Sequence, residues 1–293
     1  LVKQAARFKQ TEIIHLHTSG PAHYADPIYK ENFRVTNLFV GENIRKRVNL
    51  DNVDYLPCFL PEIPNLFRAG YKKIDVALIH VSPPDRNGFC SLGTSVDITR
   101  AAVDCASYIV AQINPRMPRV HGDGFVHVSK IHSAVEVDKP LAEHPQEPLS
   151  AEEKTIGRLV AGLVEDGSTL QMGIGAVPNA AMEALEHHKN LGVHTETWSD
   201  SVMHLMKKGV INNSKKKIHP GRLVSGFVTV TKTLYEFIHY NPSVVHLDIG
   251  YVNAPANVAR NPKVVAINSA VQVDLTGQVC ADSVGSRIIS GVG

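Results

Sequence analysis

Short apolar runs alternate along the chain with segments of helical spacing. The runs lie at residues 12–16, 35–40, Val76–Val81, Tyr108–Ile113, Thr169–Met172, 193–196, 223–230, 244–247 and Val264–Ile267. Such alternation predicts an α/β protein with largely parallel sheets. One helix has a start signal: Ser150-Ala151-Glu152-Glu153 has the S-x-x-E form of a capping box. Ile156, Leu159, Val160, Leu163 and Val164 then recur on one face, expected to pack on a core, and Gly167 is the expected stop. The preceding stretch, 138–150, carries Pro140, Pro145, Pro148 and several charges and reads as a linker. The expected boundary is near 145, giving domains 1–145 and 146–293. Asp85-Arg86-Asn87-Gly88 and Asp274-Leu275-Thr276-Gly277 each follow an apolar run and precede a cysteine-bearing one. This D-x-x-G echo predicts a similar turn in each half and two domains of related architecture.

A chain of 293 residues is long enough for two compact domains. Its 30 Lys plus Arg nearly balance 28 Asp plus Glu, so no net field draws it to nucleic acid or to an anionic membrane. The 15 histidines are scattered without metal-ligand spacing, so no metal is expected. Cys58, Cys90, Cys105 and Cys280 include no C-x-x-C pair and read as free thiols, mostly buried, in a reducing compartment. Apolar runs are too short and too interrupted to span a bilayer. The sequence opens at Leu1 and closes on Ser290-Gly291-Val292-Gly293, which reads as a piece of a longer protein.

Three segments carry candidate chemistry. In Leu170 to Asn179, a strand runs into Gly173-Ile174-Gly175-Ala176-Val177 and then a helix. Glycines allow close backbone approach, and a helix N-terminus offers free N–H donors to an anionic or amide-bearing ligand. Spacing alone equally fits an ordinary β–α turn, because Pro178 stands where a dinucleotide fingerprint has its third glycine. Next, the strand of Leu191 to Thr195 ends in Glu196. A carboxylate there is either an ordinary solvated or salt-bridged residue or a reactive group, since ligands of open α/β sheets bind beyond the carboxyl ends of strands. Finally, Asn268 closes the apolar run Val264–Ile267. A buried asparagine there is either a hydrogen-bonding hub or a ligand contact. The terminal glycines either supply oxyanion-binding N–H groups or form a flexible end, and spacing alone fits both equally. Lys207, Lys208, Lys215, Lys216, Lys217 and Arg222 form either a solvated basic face or contacts to phosphate.

Taken together these strings resemble a known family. Gly173-Ile174-Gly175-Ala176-Val177-Pro178, His194-Thr195-Glu196, Ser199-Asp200, Lys217-Ile218-His219-Pro220-Gly221, Tyr251-Val252-Asn253, Ile267-Asn268-Ser269-Ala270 and Val273 to Val279 look like the acetyl-CoA hydrolase/transferase family, in its 4-hydroxybutyrate and acetate CoA-transferase branch. Val81 to Asp85, Gly88 to Gly93 and His121 to Gly124 add to the likeness in the first half.

The resemblance implies two α/β domains with an active site between them, and Glu196 as a nucleophile that carries CoA as a glutamyl thioester. It places CoA on Gly173, Ile174, Gly175, Ala176 and Val177 and on the backbone near Val271. It places the thioester and its oxyanion near Asn268, Gly291 and Gly293. Coenzyme A is then a substrate, and no tightly bound cofactor is implied. The expected partners are an acyl-CoA and a carboxylate such as acetate, with a homodimer admissible. The expected compartment is intracellular, cytoplasm or mitochondrion. An acyl-CoA hydrolase using the same glutamate and a non-catalytic CoA-binding protein are the competing readings.

Overall fold

A computed structural model describes residues 1–48 and 51–292. The chain divides into a smaller unit, 1–63 with 270–293, and a larger one, 64–269. In the smaller unit β1 (Thr11–His15), β2 (Phe33–Asn37) and β3 (Val53–Tyr55) form a parallel sheet in the order β1-β2-β3. Ala25, Val35, Val40, Ile44 and Val53 are its core.

After α1 (Ile63–Arg68), the larger unit opens with β4 (Val76–Val81), β5 (Phe89–Ser91), α2 (Thr99–Cys105), β6 (Tyr108–Ile113), β7 (His121–Gly122), β8 (Phe125–His127) and β9 (Ser133–Glu136). Strands β4, β6 and β9 pair in parallel, and β5 pairs with β8 antiparallel. The chain continues through α3 (Ala151–Ala161), β10 (Thr169–Met172), α4 (Ala176–Ala184), β11 (Gly192–Val193), α5 (Asp200–Lys207) and β12 (Leu223–Ser225). It then passes α6 (Lys232–Ile238), β13 (Val244–His246), α7 (Ile249–Val252), α8 (Pro255–Val258) and β14 (Val264–Ile267). Back in the smaller unit, β15 (Gln272–Val273) with β16 (Val279–Cys280), and β17 (Ser283–Val284) with β18 (Arg287–Ile288), are antiparallel hairpins.

The larger unit's second parallel sheet positions the candidate site. Strands β11, β10 and β14 form one ladder and β12, β13 and β7 another. A parallel bridge between His194 and Val224 joins them, giving the order β14-β10-β11-β12-β13-β7. From β10 the chain proceeds outward through β13 on one side, then returns to place β14 on the other. That reversal is the point at which open α/β sheets bind ligands. Leu170, Met172, Leu191, Val193, Leu223 and Val244 bury the sheet against Met182, Leu185, Trp198, Val202 and Leu234 of the covering segments.

Several expectations change here. The capping box forms, with Ser150 Oγ accepting from the Glu153 N–H and Glu153 Oε2 accepting from the Ser150 N–H. The helix ends at Ala161, however, and Gly167, at φ +77°, instead turns the chain into β10. The expected face is only partly buried: Val164 lies in the core and Val160 packs against it, with Gly157 and Ala161 buried beside them, whereas Leu159 is 70% and Leu163 80% exposed. The cause is close approach to α4, since a Cβ on Gly157 would stand 2.5 Å from the Ala180 carbonyl carbon. A small-residue seam therefore takes the part of the contact expected of Leu159 and Leu163.

The stretch 138–150 has no regular secondary structure but is tied to the larger unit. The Ala142 carbonyl accepts from Tyr235 Oη at 2.8 Å, the His144 N–H donates to the Val230 carbonyl, and Leu141 packs on the core. Residue 145, where the sequence places a boundary, thus lies inside that unit. Both D-x-x-G segments form the same turn. Asp85 Oδ1 accepts from Asn87 and Phe89 N–H, and Asp274 Oδ1 from Thr276 and Gln278 N–H, with Gly88 at φ +80° and Gly277 at +88°. The four cysteines are free, but only Cys90 is fully buried.

Candidate active site

Three of the sequence-selected features meet at the carboxyl ends of adjacent strands. Strand β10 ends in the Gly173–Val177 turn, β14 ends at Asn268, and β11 leads to Glu196. The Gly173 N–H donates to the Ile267 carbonyl at 2.8 Å, and a Cβ on Gly173 would come within 2.9 Å of Asn268 Oδ1. A side chain at 173 would have to displace the Asn268 amide. Gly175 precedes α4 at φ +120° and ψ −178°, a conformation confined almost entirely to glycine. Ile174 (62% exposed), Gly175 and Ala176 present the turn to solvent, while Val177 is half-buried. Asn268 is exposed, not buried, and its Nδ2 donates to Gln171 Oε1 at 3.0 Å. It lies just past the last strand residue, where the ladder no longer covers it.

Glu196 is held from its backbone outward. The His194 N–H donates to Leu170 and the Thr195 N–H to Val224, so the segment lies between β10 and β12. The Glu196 carbonyl accepts from the Gly226 N–H at 2.8 Å and the Phe227 N–H at 3.3 Å. Side chains alternate about this line. Thr195 is buried and accepts from the Met172 N–H at 3.0 Å, and buried Trp198 donates through Nε1–H to Ser225 Oγ at 3.0 Å. His194 donates from Nε2 to the Val252 carbonyl at 2.8 Å, and burial pushes its imidazole down to about 4, so it stays neutral. Ser199 Oγ donates to Asn179 Oδ1 at 2.7 Å, tying the segment after Glu196 to the helix that follows the glycine turn.

The half-buried Glu196 carboxyl accepts a hydrogen bond at Oε2 from Asn253 Nδ2 at 3.2 Å. Burial pushes its pKa up, donation from Asn253 pulls it down, and the negative charge of Asp97 pushes it up again. A salt-bridged strand-end carboxylate, the ordinary alternative, is not what the fold provides, because no cation pairs with Glu196 among the described residues. The side chain is instead a half-buried carboxyl held by a neutral donor, the Asn253 amide.

Val271 and Gly291 belong to the smaller unit, where the Val271 N–H donates to the Cys280 carbonyl and Gly291 packs against Phe39. Gly293 lies outside the described residues. Within the lysine-rich stretch, Lys216 is no surface cation. It is 3% exposed, donates to the Val193 and Arg222 carbonyls at 2.8 and 2.7 Å, and is pushed by burial down to about 7. Among the described residues no three His, Cys, Asp or Glu side chains are grouped to hold a metal. No helix is long and apolar enough to cross a membrane. Asn253, Asp97 and Gly226 were not singled out by sequence. The available signals were a polar residue in the string Tyr251-Val252-Asn253 and an acid set between Val96 and Ile98.

The sequence profile of the acetyl-CoA hydrolase/transferase N-terminal domain matches residues 1–143, and that of the C-terminal domain matches residues 231–293. A 4-hydroxybutyrate coenzyme A transferase of Clostridium kluyveri is 47% identical over 293 residues, all of this chain and 68% of that protein. The chain belongs to the acetyl-CoA hydrolase/transferase family. A second member of the family, the succinyl-CoA:acetate/propanoyl-CoA:succinate CoA transferase of Fasciola hepatica, is 48% identical over 286 residues, 97% of this chain and 59% of that protein. The crystal structure of the 4-hydroxybutyrate CoA-transferase from Porphyromonas gingivalis superposes with a TM-score of 0.82 at 36% identity, covering 95% of this chain and 66% of that one. The family's fold is therefore shared, and the chain spans about three-fifths to two-thirds of the length of these relatives.

Proposed function

We propose that the protein transfers coenzyme A between an acyl-CoA and a small carboxylate, with Glu196 as the covalent carrier. What carries this reading is the Glu196 carboxyl itself, just past β11: largely desolvated, held by the Asn253 amide, and without a cation partner among the described residues. A carboxylate freed of strong donors and of hydration is the more reactive nucleophile.

In the proposed route Glu196 attacks the thioester carbonyl, forming a mixed anhydride and expelling CoA thiolate. The thiolate then attacks the glutamyl carbonyl, forming glutamyl-CoA and releasing the carboxylate. An acceptor carboxylate attacks that thioester, and the two steps run in reverse. The glycine turn, Gly173 to Val177, serves the pantetheine end of CoA, and the exposed Asn268 amide serves the reacting carbonyl. Each step passes through a tetrahedral oxyanion, for which one aligned donor is worth about 3 kcal/mol. Holding the thiolate beside the anhydride removes a bimolecular encounter worth on the order of 7–11 kcal/mol. Names of relatives at 40–48% identity, which are CoA transferases acting on 4-hydroxybutyrate, succinyl-CoA, acetate and cyclohexane-1-carboxylate, support the substrate class.

The test is to incubate the protein with acetyl-CoA and to analyse its peptides by mass spectrometry, with and without borohydride reduction. We expect a CoA-mass adduct, or its reduced product, on the peptide containing Glu196, and none in Glu196→Gln. An adduct of equal yield in Glu196→Gln refutes the assignment. Release of the adduct to water at the same rate with and without acetate would identify a hydrolase instead.

A further inference from the structure

The amide that serves Glu196 stands at the end of a weak element. Asn253 follows α7, a helix of only four residues whose start is capped by Asp248 Oδ1, which accepts from the Gly250 N–H at 2.8 Å. Helix nucleation fixes several backbone dihedrals for a single hydrogen bond, so one isolated turn does not hold its own place. The place of α7 is set by its contacts. At its start the Ile249 N–H donates to the Asp97 carbonyl at 3.2 Å, and Arg68 pairs with Asp248 at 2.6 Å. At its end Asn257 Nδ2 donates to the Tyr251 carbonyl at 3.0 Å, and His194 Nε2 donates to the Val252 carbonyl at 2.8 Å. The His194 bond falls on the peptide unit that joins Val252 to Asn253.

His194 is itself fixed. Its N–H donates to the Leu170 carbonyl at 3.0 Å, and its bridge with Val224 ties it to β12. It stands two residues before Glu196 in a segment whose side chains alternate, so both side chains leave the same face. They reach consecutive residues at the end of α7: His194 meets Val252, and Glu196 meets Asn253. The tautomer of the ring is also set. A carbonyl can only accept, so Nε2 carries the proton, and Nδ1 of the neutral ring is an acceptor. Asn261 Oδ1 accepts from the Lys217 and Ile218 N–H groups at 3.3 and 3.4 Å, which turns its Nδ2 toward His194 Nδ1 at 3.5 Å. The imidazole is 2% exposed. An apolar residue in its place would leave the Val252 carbonyl without this donor.

We propose that His194 is a positioning residue for the Glu196 carboxyl: its Nε2–H fixes the end of α7 so that the Asn253 amide meets Oε2. The inference rests on the reading of Glu196 as nucleophile. Its physical basis is geometric. The Asn253 bond is 3.2 Å long, at the far end of the normal range. A further displacement of about 0.4 Å breaks such a bond. With the Val252 carbonyl released, the end of α7 can move by that much, and the carboxylate loses its donor. The nucleophile is then less ionised at a given pH. A histidine that only satisfied the core would stabilise the fold from this place equally well. The two roles differ in whether the Glu196 carboxyl senses the loss of the ring.

The test uses the intact chain and a readout that a purely structural role would not move. The ionisation of Glu196 is followed across a pH titration by its carboxylate infrared band, taken in each protein as the difference from the same protein carrying Glu196→Gln. In His194→Leu the midpoint rises by up to about one pH unit, the shift that follows from losing the Asn253 bond. Asn253→Ala raises the midpoint in the wild-type background but adds nothing in His194→Leu, because the donor it removes is already out of place. His194→Gln, whose terminal amide keeps an N–H at a reach close to that of Nε2, returns the midpoint toward wild type. A midpoint unmoved in His194→Leu, or an Asn253→Ala shift that survives there in full, overturns the proposal. Should His194→Leu fail to fold, His194→Asn carries the same test, since its amide ends near the place of Nδ1 and falls short of the Val252 carbonyl; no rise there is equally fatal. An unmoved midpoint with the Glu196 adduct intact refutes His194 alone, whereas an adduct persisting in Glu196→Gln refutes the nucleophile reading.

Discussion

Replacing Asn253 by alanine isolates the hydrogen bond that the Glu196 carboxyl accepts from its amide. The bond is 3.2 Å long, at the far end of the normal range, and its acceptor is largely out of water. Hydrogen bonds to charged groups contribute about 1.5–3 kcal/mol, and this length places the value near about 1.5 kcal/mol. The bond favours only the ionised form, so its loss lowers the ratio of carboxylate to acid about tenfold at any pH on the titration limb. The sign follows: donation from Asn253 pulls the Glu196 pKa down, so Asn253→Ala raises it. The acid limb of kcat/KM, fed by the carboxylate, therefore moves to higher pH, and activity well above the limb falls much less. The assay is acetyl-CoA-dependent CoA transfer to acetate, measured from pH 5 to pH 9 for both proteins. Because Asn253 follows the last residue of α7, the truncation leaves the helix N–H ladder intact, and thermal unfolding serves as the control. An acid limb that stays in place, or moves to lower pH, refutes the reasoning, since it means that the amide does not stabilise the charged nucleophile.

Gly175→Ala adds a methyl group that meets nothing within 4 Å, so its cost is backbone strain at φ +120°. We expect about 1–3 kcal/mol lost in urea unfolding together with a raised KM for acyl-CoA, and unchanged unfolding would contradict the turn geometry. Lys216 titrates at about 7 in the fold against 10.5 in the free side chain. The unfolded chain binds the extra proton between those values, so wild-type stability gains about 1.4 kcal/mol per pH unit above pH 7, a slope that Lys216→Met lacks. Urea unfolding of both proteins at pH 7.5 and 9 measures it, and parallel changes would show that the ammonium is not desolvated. Glu196→Gln removes a carboxyl whose pKa burial has raised, and such a group adds stability only at low pH, lost as pH rises through the folded value. At neutral pH the variant should melt no lower than wild type while losing the CoA adduct, and a lower melting temperature would mean that the charge is structurally paired.

The sequence by itself determined the parts of this protein that depend on neighbours in the chain. Apolar alternation set the α/β class, Ser150 and Glu153 set the start of α3, and each D-x-x-G set its turn, because these are interactions over two to four residues. It also placed Glu196, the glycine turn and Asn268 at strand ends. Only the tertiary structure decided what acts on them. Asn253 and Asp97 stand 57 and 99 residues from Glu196 in the sequence, and no local pattern couples their positions. Neither the outward turn of Leu159 and Leu163 nor the burial of Lys216 could be read locally. The first follows from the fit of Gly157 against Ala180, and the second from carbonyls at Val193 and Arg222 that accept the ammonium. Periodicity records which residues are apolar, whereas the surface each meets, and hence the charge state of each buried group, is fixed by which strands become neighbours in the sheet.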